Sequence, residues 1–133
     1  MQRRLSAKGR KQARRAAAWL LKRLPRDAIV LSSPARRATE TAKEMTDHYR
    51  ILPQLGTQAS ASEVLAAAGW PHGKVAVVIV GHQPTLGRAA ALALTGFESD
   101  WRFGKGAIWW LERDGGAEGG GVALRAVVSP DLV

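Results

Sequence analysis

A chain of 133 residues that is 46% hydrophobic and 23% charged has the size and balance of one folded domain, which excludes a disordered or fibrous protein. It has no cysteine, which excludes disulfide scaffolds, thiolate-held metal and thiol catalysis, and it fits a reducing, cytoplasmic compartment. The net charge of +9 is unevenly placed: residues 1–26 carry ten Lys or Arg and no acid, and the other 107 carry ten bases against eleven acids.

In chain order, Ser6 is a good N-cap, and Ala13, Ala16, Ala17, Leu20, Leu21 and Leu24 recur at helical spacing. They predict an amphipathic helix over 7–24, stopped by Pro25. The apolar run 28–31 reads as a buried strand ending at Ser32-Ser33-Pro34. Ala38, Thr41, Ala42 and Met45 place a second helix over 35–48. Ile51-Leu52-Pro53 reads as a brief extended piece, and the Gly-, Thr- and Ser-containing stretch 55–62 as a loop. Ser62 can cap a third helix over 63–68, closed by Gly69.

The run 74–80 (KVAVVIV) is the strongest strand pattern: continuously apolar and β-branched, as in a parallel strand buried on both faces. After Gly81-His82-Gln83-Pro84-Thr85 comes a fourth helix over 86–95. Strands over 105–112 and 122–128, joined by the Gly-rich 114–121, predict an antiparallel hairpin. Alternating strands and helices predict a single three-layer α/β/α domain over 1–133, with a mostly parallel sheet and a C-terminal antiparallel hairpin. No apolar run approaches the roughly 20 residues of a membrane span, and the charged N-terminus has no apolar signal core.

Ligands of open α/β sheets bind beyond the carboxyl ends of the strands. There, Gly81 and His82 follow one strand, and Ser32, Ser33, Arg36 and Arg37 follow another. Gly81 lets a ligand approach the strand exit closely. His82 starts a helix where an anion can be held, and Arg37 offers a bidentate guanidinium suited to phosphate oxygens. Each residue also has an ordinary structural reading: a His after a strand is commonly structural, and one of two adjacent Arg is usually solvated. His48 and His72 read as surface residues, and Glu63 as a partner of its helix dipole rather than a general acid. Three dispersed His give no metal spacing, so neither metal nor cofactor is expected.

Three segments, LSAKGRKQA (5–13), SSPARRATETA (32–42) and VVIVGHQPTLG (77–87), occur in this order. Together they resemble the motifs of the histidine phosphatase superfamily, and within it the short bacterial SixA-type phosphohistidine phosphatases. The resemblance spans nearly the whole chain and implies a phosphoglycerate mutase-like fold. It implies a phosphatase that removes phosphate from phosphohistidine on a protein partner, or from a small phosphorylated substrate. Carried over, Arg37 resembles the phosphate-clamping Arg and His82 the second catalytic His. Arg3 resembles an Arg that often points into the pocket, with Arg4 competing for that role.

In that family a His of an R-H-G or R-H-A motif forms the phosphohistidine intermediate. No Arg-His pair occurs in this sequence. The resemblance therefore implies a chain shortened at its start, or a degenerate member, and an inactive one as it stands. The family's first strand, which bears that motif, normally lies inside the sheet beside the strand leading to the second His. The alternative from a different class is a non-catalytic module whose basic first helix binds nucleic acid or an acidic protein. Nucleic acid is the lesser expectation, and no membrane partner is expected.

Overall fold

The computed structural model describes residues 3–113 and 121–133, so the expected Gly-rich turn lies outside the described residues except for Gly121. Helix α1 is Ala7–Leu21, and the Ser6 side chain caps it by accepting from the Gly9 amide at 3.0 Å. It ends three residues before the expected 24. The Arg23 and Leu24 amides both turn back to the Leu20 carbonyl, and the residue before a proline disfavours helical backbone. Its buried side is Ala13, Ala16, Ala17 and Leu20.

Strand β1 (Ile29–Ser32) leads to helix α2 (Arg36–Lys43), which buries Ala38 and Ala42. The helix stops short of the expected 48, because Thr46 Oγ1 accepts from the His48 amide and diverts the backbone into a turn. Strand β2 is Arg50–Ile51, and the expected extended Pro53 instead opens a 3-10 turn, Pro53–Leu55. Helix α3 (Ala61–Ala67) is capped by Ser60, not Ser62. Ser60 Oγ accepts from the Glu63 amide, and the Glu63 carboxylate accepts from the Ser60 amide. This reciprocal pair is the capping box, so Glu63 serves its helix start.

Strand β3 is Val77–Val80 and helix α4 is Thr85–Thr95. The strand is shorter than the apolar run because β1, its partner, begins pairing only at Ile29. Strands β4 (Ile108–Arg113) and β5 (Val122–Val128) form the antiparallel hairpin. Gly106 at φ +75 bends the chain just before β4, so β4 begins later than the expected 105.

The parallel strands lie in the order β2-β1-β3, and the hairpin is a separate two-stranded sheet among the described residues. The Ile29, Leu31, Val77 and Ile79 face packs under α3 and α4 with Leu55, Ala61, Val64 and Ala89. Helix α2 touches β1 and β3, and α1 packs against α2. Alternate side chains of each strand thus meet different helix layers, which is the expected α/β architecture. Strand β3 was expected to be buried on both faces, yet all four of its residues are only half-buried. It is an outer strand of the parallel sheet, and β1 is its sole ladder partner among the described residues. The hairpin joins the body through α4 and through Trp19 of α1, whose ring meets Trp110 edge to face at 6.1 Å.

Candidate functional site

The carboxyl ends of β1 and β3 lie side by side because their register pairs Ser32 with Val80. One further ladder bond, from the Ser33 amide to the Val80 carbonyl at 2.9 Å, carries the pairing past the strands. Ser33 is thereby brought beside the Gly81-His82 exit. Its Oγ lies 2.7 Å from His82 Nε2 and also accepts from the Ala35 amide at 3.1 Å. Ser33 is fully buried, so its hydroxyl has a fixed environment.

The second ring nitrogen meets α2. Arg37, in the first turn of that helix, places Nη2 at 3.4 Å from His82 Nδ1. A guanidinium can only donate, so Nδ1 must accept, and a neutral imidazole then carries its proton on Nε2. That proton is donated to Ser33 Oγ. The trio fixes both the ring's orientation and its tautomer. Burial first, and the Arg37 charge second, hold His82 below its ordinary value near 6.5. The pocket therefore presents neutral imidazole beside a permanent cation. An arriving phosphate dianion reverses the local balance and favours protonated His82, which adds a second charged donor.

The surroundings brace this arrangement. Gln83, next to His82, accepts from the Gly87 amide at 2.9 Å, and its Nε2 reaches the Trp101 and Phe103 carbonyls at 3.4 and 3.5 Å. Gly87 is where the backbone comes closest: a Cβ there would stand 1.7 Å from the Trp101 carbonyl oxygen. Gly81 is less closely packed by the protein's own atoms. A Cβ at that position would meet Leu86 at 3.4 Å, an ordinary contact. The glycine that a close approach demands is Gly87.

The expected convergence of His82 and Arg37 is present, and Ser33 joins them. Arg3 and Arg4 are exposed ahead of α1, and neither bonds to Ser33, Arg37 or His82 among the described residues. Arg36 is exposed and shares Glu40 with Arg10, both at 3.9 Å. His48 and His72 are exposed and precede β2 and β3, so they lie at the amino ends of parallel strands whose carboxyl ends hold His82. Two surface hollows, of about 330 Å³ beside Gln54 and Glu63 and about 520 Å³ beside Trp101 and Trp109, are lined by neither His82 nor Arg37.

A model of the histidine phosphatase superfamily (branch 1) matches residues 2–63. Among solved structures, the protein histidine phosphatase SixA complexed with tungstate is 26% identical. That match covers 98% of this chain and 86% of that one, at a TM-score of 0.79. A SixA protein of Nakamurella multipartitia, 24% identical, covers 97% and 86% at 0.74. A mutant phosphoserine phosphatase of Entamoeba histolytica in complex with phosphoserine, 16% identical, covers 98% and 86% at 0.69. These last two share the fold. No curated protein sequence matches the chain.

Proposed function

We propose that the chain is a member of the histidine phosphatase superfamily, whose model matches residues 2–63, and that Ser33, Arg37 and His82 hold the phosphoryl group of a phosphohistidine carried by a protein partner. The observation that carries this reading is the convergence of the three side chains at neighbouring strand ends, 2.7 and 3.4 Å from the two His82 nitrogens. The SixA neighbour, named as a protein histidine phosphatase, supports the substrate class.

Phosphoryl transfer passes through a loose transition state whose charge spreads over three oxygens, so positioned cations do most of the catalysis. Arg37 supplies a permanent fork of donors. His82 supplies a donor that becomes charged when the dianion arrives, and Ser33 keeps its ring in place. Transfer to a covalent acceptor needs a nucleophile in line, across the phosphorus from the leaving group. The two other histidines lie at the opposite end of the sheet and cannot reach it. We accordingly assign residues 1–133 the anion-holding half of the reaction: the stretch by itself retains phosphate without turning it over.

The test uses the 133-residue protein with a histidine-phosphorylated protein and follows phosphate release and transfer of acid-labile label. We expect binding that tungstate displaces, with no label on the chain and no release. Release at enzymatic rates would overturn the division of labour. Binding insensitive to tungstate would overturn the pocket assignment.

A further inference from the structure

The most one-sided electrostatic feature lies outside the pocket, on α1. Lys8, Lys11, Arg15, Ala18 and Lys22 follow one another at spacings of three and four, so they form a single row along the helix surface. All five are exposed. The row spans about 21 Å at 1.5 Å per residue. None of its four cations has a carboxylate within 4.0 Å among the described residues, whereas Arg10 and Arg14, on the flank facing α2, reach Glu40 and Glu44.

The row works against the helix that carries it. Like charges three and four residues apart repel. The first turn holds no acid and instead presents Lys8 and Arg10 to the positive end of the helix dipole. Helix α3 follows the opposite, favourable rule, with Glu63 in its first turn. Local rules broken without internal compensation are expected at functional surfaces. The segment entering α1 is tied to the helix that carries Arg37: the Leu5 amide donates to Glu40 Oε1 at 2.7 Å, and Glu40 lies on α2.

We propose that the Lys8-Lys11-Arg15-Lys22 row is a docking strip for an acidic helix on the protein partner, holding it while its phosphoryl group occupies the Ser33-Arg37-His82 pocket. The partner's role rests on the phosphohistidine reading above; the strip itself does not. Glutamates or aspartates at the same three- and four-residue spacing would face the row cation for cation. The charge distribution favours a compact acidic partner over nucleic acid. A duplex longer than the strip would run past it onto a surface where the other 107 residues have one more acid than bases.

The probe is an alanine-based helical peptide of the strip's length with one row of glutamates, compared with a short duplex DNA. We expect the peptide to bind the 133-residue protein with an affinity that falls steeply with salt. Replacing Lys8, Lys11, Arg15 and Lys22 together by Gln should weaken it roughly tenfold or more, while replacing Lys43, Arg50, Arg102 and Arg113 should change it less than about twofold. The first variant should keep the wild-type melting temperature or exceed it, because a repulsion is removed, and its tungstate affinity should be unchanged. Equal weakening by the two variants would reduce the effect to net charge and overturn the proposal. Tighter binding of the duplex, lost in the first variant, would overturn it in favour of a nucleic-acid surface. Loss of tungstate binding from the wild-type protein would instead sink the pocket reading and leave the strip standing.

Discussion

Replacing Arg37 by Ala separates the pocket from the basic surface around it. A charge-assisted hydrogen bond to a buried or half-buried partner contributes about 1.5–3 kcal/mol, which corresponds to roughly 10- to 150-fold in affinity. Arg14 is the matched control. It is equally cationic, but its side chain is 63% exposed and 3.9 Å from Glu44, and such surface charges contribute about 0–1 kcal/mol. The two losses should also differ in pH dependence. Arg37 is one of the two causes that hold His82 low, so its removal lets the imidazole protonate more readily. At acid pH the new charge on His82 offsets part of the lost guanidinium. At alkaline pH His82 is neutral in both proteins, and the whole loss is visible. Calorimetric titration with tungstate at constant ionic strength should therefore show Arg37→Ala losing more at pH 8 than at pH 6, with Arg14→Ala nearly flat. Equal losses from the two substitutions, or an Arg37 loss that shrinks as pH rises, would refute the assignment.

Three other outcomes follow from the same geometry. Ser33→Ala leaves His82 Nε2 and the Ala35 amide without their partner in a half-buried setting; it should cost about 0.5–1.5 kcal/mol in denaturant titration, and nitrogen NMR should show His82 no longer held to one tautomer. Because His82 titrates lower in the folded chain than in the unfolded one, the unfolded chain takes up protons first on acidification. Stability from the neutral ring is complete above about 6.5 and declines as pH falls below it, and His82→Gln should flatten that part of the melting profile. Gly87→Ala forces a methyl group onto the Trp101 carbonyl and should destabilise by about 1–3 kcal/mol in thermal melts, whereas Gly81→Ala should do far less.

His82 and Arg37 were legible in the sequence because strand ends concentrate ligand contacts, and the two apolar runs marked those ends clearly. Their meeting with Ser33 was not legible. It depends on the Ser32–Val80 register, and no single run of sequence encodes a register between distant strands. The cap of α3 was legible but misassigned: Ser60-Ala61-Ser62-Glu63 satisfies the three-residue spacing of a capping box only from Ser60. The apolar run 74–80 overstated β3, since hydrophobicity shows what can pair and not where the partner begins. Gly87 carried no local signal, because its constraint comes from a loop that folds back from Trp101.

Strand β3 also behaves as two interleaved sets of peptide groups. The Ile29 amide donates to the Ala76 carbonyl and the Ser33 amide to Val80, so the parallel pattern turns the amides of Val78 and Val80 toward β1. Those of Val77 and Ile79 point the other way, to the side where no described strand pairs with β3. Neighbouring residues of one short strand should then exchange their amide hydrogens with water at very different rates, the inward pair protected by the ladder and the outward pair open. Slow exchange at Val77 and Ile79 would mean that something covers the edge in solution. The four residues that lead to His82 thus report, amide by amide, on the company that edge keeps.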